Sequence, residues 1–206
     1  MKKNVYSLVL SETVIAAVDR LAYERHTNRS NLINQILAEY VSYETPEMRM
    51  QNVFDRMQAL LGSAFQPLEN ASPTMLTLRS ALSYKYNPTV RYQVELYRMP
   101  QVAVGELKVS MRTQSATLSL LVMQFFKLWI KIEKAHHPDS VATVTDGRFI
   151  KRFVTETMDS EIVADGISAY VDAFDHALKT FFCYSDRPEI AEANVEKTYA
   201  DANLLF

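Results

Sequence analysis

The sequence predicts a predominantly helical α+β protein with two domains. Three observations predict this class: a short alternating stretch at the N-terminus, several longer segments whose apolar residues recur at helical spacing, and a central region whose period is two. Pro46 ends the first group of elements, so we expect a small domain over 1–45 and a larger α+β domain over 46–206. The 206 residues, 48% hydrophobic and 22% charged, have a composition typical of globular domains.

The N-terminal stretch "NVYSLVL" alternates as a β-strand does, and two amphipathic helices are predicted to follow it. One strand face carries Tyr6, Leu8 and Leu10, and the other carries Val5, Ser7 and Val9. Ser11 can cap the first helix, and Asn28 or Thr27 the second. The apolar stripes are Val14, Ile15, Val18, Leu21 and Ala22 in the first helix, and Leu32, Ile33, Ile36, Leu37, Tyr40 and Val41 in the second.

A lone strand leaves its backbone groups unpaired on both edges, and a unit of about 40 residues rarely buries enough apolar surface to fold alone. Two copies solve both problems if their strands pair antiparallel about a two-fold axis. Tyr6, Leu8 and Leu10 then face four helices, and the opposite face forms a raised ribbon that fits the DNA major groove. The other interpretation is that the strand joins the central sheet of its own chain.

The stretch "KNVYSLVLSETVIAAVDRLAYERHTNRSNLINQILAEYV" resembles the ribbon-helix-helix repressors of the Arc, methionine-repressor and plasmid copy-control (CopG-like) type. The resemblance covers residues 3–45 only and includes the strand, the Ser-Glu start of the first helix, the polar turn and the closing aliphatic pattern. It implies an obligate homodimer that inserts a two-stranded ribbon into operator DNA. Two departures are the valines at base-reading positions and His26, which stands where relatives often have glycine.

The resemblance also implies roles for individual positions. Base reading falls to Val5, Ser7 and Val9, with Lys3 on the same face as an added polar contact. Phosphate contacts fall to Lys2, Asn28, Arg29 and Ser30. The implied dimer core comprises Tyr6, Leu8, Leu10, Val14, Val18, Leu21, Leu32, Ile33, Ile36, Leu37 and Tyr40.

The region after Pro46 predicts a helix over 47–64, a loop at "QPLENASP" and an antiparallel meander of about three strands. The predicted strands are "LSYKY", "VRYQVELYR" and "ELKVSMR", with the first turn at "NPT" and with Arg91, Lys108 and Arg112 on the outer face. Helices are then expected over 115–135, 147–158, 160–184 and 188–201.

The net charge of −2 does not indicate nucleic-acid binding, but the charges are unevenly distributed. Residues 79–113 contain six basic and two acidic residues, whereas 139–206 contain six basic and thirteen acidic residues. The plainer interpretation is that the basic middle and the acidic tail complement one another within the fold or the dimer.

Several features favour a cytoplasmic protein. A single cysteine fits a reducing compartment, and the N-terminus lacks the apolar run of a secretory signal. The longest apolar segment without a charge, 113–126, has 14 residues, whereas a membrane span needs about 20.

Metal binding and catalysis have weak support. The candidate metal ligands lack a recognisable spacing: His136, His137, His176 and Cys183. Among only four glycines there is no phosphate-binding loop, and one helix carries the acid–histidine group Asp172, Asp175 and His176, a pattern common on solvated faces. The sequence leaves open whether the helical aromatics form core, an interface or an effector pocket: Phe125, Phe126, Trp129, Tyr170, Phe174, Phe181 and Phe182.

We therefore expect a cytoplasmic, homodimeric regulator of transcription, with repression at a palindromic operator in double-stranded DNA as its role. We expect no enzymatic activity, no cofactor and no metal. The C-terminal domain would extend the dimer, join dimers along DNA or sense an effector. The main alternative is an antitoxin-like or plasmid-transfer accessory protein whose C-terminal domain binds a partner protein.

Overall fold

The computed structural model describes residues 7–41, 43–69 and 72–206. The chain divides into two compact units, Met1–Met48 and Arg49–Phe206. The described helices are α1 (Glu12–Glu24), α2 (Arg29–Tyr40), α3 (Pro46–Leu61), α4 (Ala116–His136), α5 (Ser160–Cys183) and α6 (Pro188–Asp201). The strands are β1 (Gln66–Leu68), β2 (Met75–Ala81), β3 (Thr89–Leu96), β4 (Ala103–Met111), β5 (Val141–Thr145) and β6 (Arg148–Val154). The α+β class predicted from the sequence is confirmed.

Both predicted helices of the N-terminal unit are present, and each begins at a side-chain cap. The Val14 amide donates to Ser11 Oγ at 3.4 Å, and the Asn31 amide donates to Asn28 Oδ1 at 2.9 Å. Asn28 rather than Thr27 therefore caps α2. Each cap satisfies one of the backbone donors that a helix N-terminus leaves without an intrahelical partner.

The turn between α1 and α2 contains His26 in the left-handed region, with φ of 49°. Its amide donates to the Tyr23 carbonyl at 3.1 Å, and the Thr27 amide donates to the Ala22 carbonyl at 2.9 Å. Histidine tolerates this conformation better than most residues other than glycine. The departure from glycine noted in the sequence is therefore compatible with the same helix end.

The predicted N-terminal strand is not formed within the described part of the chain. Residues 1–6, which include Lys2, Lys3, Val5 and Tyr6, lie outside the described residues. Residues 7–10 are exposed and are assigned to no strand. A strand requires a paired neighbour, and the described residues of the same chain provide none, so the ribbon pairing between two chains stays a prediction.

The C-terminal unit contains a six-stranded sheet in the order β1-β2-β3-β4-β6-β5, with each neighbouring pair antiparallel. The predicted inward row of β3 is confirmed, because Val90, Tyr92, Val94 and Leu96 are all buried. Buried residues of α3, α4, α5 and α6 join these side chains in one apolar core. Because successive residues of a strand point to opposite faces, the alternate residues form an outward face.

The first predicted strand of the meander was misplaced. "LSYKY" lies in the connection between β2 and β3, and the strand lies just before it, at Met75–Ala81. Tyr86 and Asn87 have φ of 67° and 44°, and Pro88 follows, so the chain must turn at this point. The predicted loop at "QPLENASP" is also partly wrong, because Gln66–Leu68 pairs with β2 as an edge strand.

The predicted helix over 147–158 is wrong. This segment is mainly β6, which forms a hairpin with β5. Asp146 and Gly147 both have positive φ, 50° and 72°, as the two-residue turn favoured in hairpins requires. The other three predicted C-terminal helices, 115–135, 160–184 and 188–201, are present as α4, α5 and α6.

A buried ion pair joins the hairpin to the helices. Lys151 Nζ lies 2.6 Å from Glu133 Oε1 on α4, and both side chains are almost fully buried. Tyr170 donates to Glu133 Oε2 at 3.0 Å and accepts from Trp129 Nε1 at 2.8 Å, while Lys151 also donates to Ser140 Oγ at 2.8 Å. These hydrogen bonds satisfy a pair whose burial would otherwise be costly.

We predict that Lys151→Met destabilises the C-terminal unit by about 3–5 kcal/mol, because the Glu133 carboxylate would stay buried without its cation. Urea unfolding followed by Trp129 fluorescence measures the loss. Lys131→Met is the matched control, since its pair with Glu192 is exposed and screened by water, and we expect it to destabilise the unit much less than Lys151→Met. Equal stability of the two variants would contradict a structural role for the buried pair.

Candidate nucleic-acid interface

The predicted base-reading stretch leads directly into α1. Of its members, Ser7 and Val9 are described, and both are exposed; Val9 is fully exposed to solvent. Leu8, on the opposite face of the predicted strand, is also 59% exposed. Leucine and valine side chains that stay exposed to water on both faces of a segment are unfavourable. The exposure of Leu8 therefore indicates a surface that a single subunit does not cover.

The predicted phosphate-binding residues Asn28, Arg29 and Ser30 lie together at the N-terminus of α2, and all three are exposed. The side chain of Asn28 is occupied as the helix cap. The first amides of a helix have no intrahelical acceptor, so the amides of Arg29 and Ser30 point out of the helix end. This geometry and the helix dipole favour an anion.

Sequence reasoning missed an ion pair at this position. Arg29 Nε and Nη2 donate to the two carboxylate oxygens of Asp19 on α1, at 2.7 and 2.5 Å. The hydrogen bond from Arg29 lowers the pKa of the Asp19 carboxyl, and the same contact raises the pKa of Arg29. The bidentate contact holds the guanidinium beside the start of α2. The only sequence signal was an acidic residue on the polar face of the first helix.

Most of the predicted dimer core is uncovered in the single chain. Among its described members, Leu32 is buried, and Val18, Leu21 and Ile33 are half-buried. The remaining members are exposed, up to 87% for Tyr40: Leu8, Leu10, Val14, Ile36, Leu37 and Tyr40. The apolar residues that are buried in the described part of 1–48 are Ala22, Leu32 and Ala38. Such a small core cannot offset the conformational entropy of ordering this unit.

The candidate metal ligands and the acid–histidine group predicted from the sequence do not form one common site among the described residues. His136 and His137 lie beside the Tyr199 ring at centroid distances of 5.1 and 6.3 Å, while Cys183 is exposed at the end of α5. Asp172 and His176 line an open groove between α5 and α6. In the described ranges, no three histidine, cysteine or acidic side chains are grouped as a metal site.

The aromatic residues of α4 and α5 belong to the core of the C-terminal unit. Phe174 lies at the centre, with centroid distances of 5.2 Å to both Phe125 and Trp129 and 4.7 Å to Phe149. The whole set considered for an effector pocket is buried: Phe125, Phe126, Trp129, Tyr170, Phe174, Phe181 and Phe182. These side chains contribute packing rather than an open ligand site.

Within the described residues, no helix has both the length and the apolarity that a bilayer span requires. In comparisons with models of known families, with curated proteins and with solved structures, nothing matched this chain.

We predict that Leu8→Asp abolishes dimer formation, whereas Val9→Asp does not. The two residues are adjacent, but they lie on opposite faces of the predicted strand, so only the first aspartate would be buried at the subunit interface. An unpaired buried carboxylate costs several kcal/mol, which corresponds to a rise of at least about a hundredfold in the dimer dissociation constant.

Sedimentation equilibrium measures both dissociation constants, and far-ultraviolet circular dichroism checks the fold of each variant. A Leu8→Asp protein that stays dimeric at the concentrations where the wild-type protein is dimeric would contradict the burial of Leu8 at the subunit interface. Equal dissociation of both variants would show that residues 7–10 do not have two distinct faces.

Proposed function

We propose that the protein is a homodimeric DNA-binding regulator of transcription that acts as a repressor at a palindromic operator. One observation carries the proposal: an exposed strand-length stretch precedes two capped helices, and all described residues of the expected dimer core except Leu32 are exposed or half-buried in a single chain. This combination supports a fold that is completed by a second copy. It also supports the ribbon-helix-helix resemblance of residues 3–45.

Dimerisation would satisfy both deficits of the N-terminal unit at once. Antiparallel pairing of two strands supplies the missing backbone partners, and the side chains of Leu8 and Leu10 then cover the exposed stripes of the helices. Burying the exposed remainder of Val14, Ile36 and Leu37 would contribute about 1 kcal/mol for each residue, since about half of each is now exposed to water. Two identical units related by a two-fold axis suit an operator with the same symmetry.

The outward face of the paired ribbon would carry Val5, Ser7 and Val9 twice. A two-stranded ribbon fits the major groove, where valine methyls contact thymine methyls and a serine hydroxyl can donate or accept. Lys3, two residues before Val5, would add a long polar side chain to the same face. Specificity would therefore depend on a few polar contacts and on methyl recognition.

Phosphate contacts would fix the ribbon in the groove. The free amides at the start of α2 suit one backbone phosphate, with Ser30 and Asn28 beside them. Arg29, whose charge is compensated by Asp19, would offer its remaining N–H donors at the edge of this site. Lys2 would contribute from the end of the ribbon.

Selection of bound sites from random double-stranded DNA tests the proposal most directly. We expect enriched sequences with two inverted half-sites, because a two-fold dimer reads the same half-site twice. Enriched sites without inverted symmetry, or no enrichment at all, would contradict the proposal. A partner-binding accessory protein without DNA affinity would give the second result.

We predict that Ser7→Ala and Lys3→Ala each weaken binding to the selected operator by about tenfold, since one lost base contact costs roughly 1–3 kcal/mol. Neither change should alter dimer formation, because both side chains would face away from the dimer core of the proposed ribbon. Fluorescence anisotropy titrations measure the affinity, with Asn34→Ala, an exposed change on α2, as the control. Wild-type affinity in both ribbon variants would refute the assignment of the base-reading face.

A further inference from the structure

The outward face of the C-terminal sheet carries a row of arginines near one end. The register of β1, β2, β3 and β4 aligns four residues side by side: Gln66, Arg79, Arg91 and Ser110. Val109 of β4 pairs with Phe149 of β6, and continuing this register by one residue places Arg148 opposite Ser110. We call Arg79, Arg91 and Arg148 the arginine row.

The arginine row is exposed, and none of its members has an acidic partner among the described residues. Its three side chains lie in water, while their strand neighbours Leu78 and Val90 are buried in the core. Arg79 donates from Nε to Gln66 Oε1 at 2.9 Å. Within the part of the chain that the structure describes, no carboxylate lies within 4 Å of any member of the row, and the row is therefore uncompensated by ion pairs.

Lys108, a cation on the same face, is neutralised. Lys108 lies 3.2 Å from a Glu95 oxygen and 2.6 Å from a Glu106 oxygen. These contacts raise the pKa of Lys108, with the hydrogen bond to Glu106 as the main cause. The sheet therefore has one end where acids and bases are paired, and another where arginines accumulate.

More charges lie near the arginine row in the connecting segments. Lys85 is exposed between β2 and β3, and Arg112 is exposed just after β4. Asp146, in the turn between β5 and β6, is an acidic residue at the same end of the sheet. The end of the sheet keeps a positive excess, which matches the basic segment noted in the sequence.

The direct opposition of Arg79 and Arg91 does not benefit the fold. Like charges opposite one another in an antiparallel pair destabilise the sheet, and neither guanidinium contributes to the apolar core. Arginine differs from lysine in that its planar fork binds phosphate through two parallel hydrogen bonds. An exposed arginine row that costs stability and suits phosphate points to an anionic partner.

We propose that the arginine row is a second DNA-binding surface, which contacts the phosphate backbone of duplex DNA. The proposal takes duplex DNA as the ligand from the proposed function, but it does not depend on the ribbon. From β2 to β6 the row crosses three strand spacings, about 14 Å. This distance corresponds to roughly four phosphates of one strand, at about 3.4 Å each along the helix axis.

Duplex DNA suits the row better than single-stranded DNA. Sheets that bind single strands present aromatic side chains on which bases stack, whereas the aligned outward positions here are glutamine, arginine and serine. Contacts to phosphates carry no direct sequence information. The row would therefore hold DNA of any sequence, including the DNA that flanks an operator.

The test uses the full-length protein and a long random-sequence duplex. The row variant is Arg79→Gln with Arg91→Gln and Arg148→Gln. The control variant removes three exposed charges elsewhere, through Lys127→Gln, Lys134→Gln and Arg187→Gln. Both variants have the same net charge, so a difference between them reports position rather than total charge.

We expect the affinity of the row variant for duplex DNA to depend less on salt concentration than that of the wild-type protein. The plot of log affinity against log salt should become shallower by about 0.9 for each lost phosphate contact, which gives about 2.7 for one row, while the control variant keeps the wild-type slope. Equal slopes in the row and control variants would overturn the proposal. A loss confined to single-stranded DNA of the same length would also overturn it.

A thermal melt separates binding from structure. The row variant should melt at the wild-type temperature or above it, because the opposed charges are removed. Lower stability together with weaker binding would assign the arginines a structural role and overturn the proposal.

The ribbon variant Val9→Asp separates this proposal from the proposed function. If Val9→Asp loses operator binding while the row variant binds every duplex as wild type does, the arginine row fails and the ribbon stands. If Val9→Asp binds the operator normally and the row variant does not, the ribbon fails and the row stands. If the wild-type protein binds no duplex, both fail.

Discussion

The pairing of backbone groups constrains the N-terminal unit more strongly than any single side-chain contact. A strand-length segment must satisfy its donors and acceptors on at least one edge, and residues 7–10 do not do so within the described chain. The helices that follow also leave apolar surface in water, because Val14 of α1 and Ile36, Leu37 and Tyr40 of α2 are exposed. In the proposed dimer, a second copy would cover these groups, and each subunit would contribute the same surface to an isologous, two-fold interface.

The C-terminal unit differs because it satisfies its own requirements. Its strands are paired in one continuous sheet, and one sheet face is covered by helices that contribute to a single apolar core. The Glu133–Lys151 pair is fully buried, yet its polar atoms find partners in Tyr170 and Ser140. A unit that is packed on its inner face can carry exposed charges on its outward face, even though the opposed Arg79 and Arg91 cost some stability.

Local signals in the sequence predicted the helices well. They failed where the same residues fitted both a helical and a strand pattern. Ser11, Asn28 and Asp159 are caps whose side chains accept helix amides, and caps are readable from sequence because they act over three residues. The hairpin at β6 was missed because Phe149, Ile150 and Phe153 also fit a helical stripe. The inward lysine at 151 obscured the alternation, and its partner Glu133 is distant in the chain.

The candidate sites divide in the same way. The cluster of Asn28, Arg29 and Ser30 could be predicted because its residues are adjacent, but the Arg29–Asp19 pair depends on how two helices cross. The arginine row could not be predicted as a row, because cross-strand register brings Arg79, Arg91 and Arg148 into line from three strands. The sequence showed only that its middle segment is basic.

The proposed ribbon and the arginine row differ in chemistry. Together they would give one DNA-binding protein both sequence specificity and a long residence time on DNA. The proposed ribbon face would be small and largely apolar, so it would distinguish bases but offer few charges. The arginine row has charge without base-reading side chains, and phosphate contacts act equally on all sequences. Because the two surfaces belong to one chain, binding at either raises the effective concentration of the other on the same DNA. Discrimination between sites would then remain with the ribbon, while the row would lower the rate at which the whole dimer leaves the duplex.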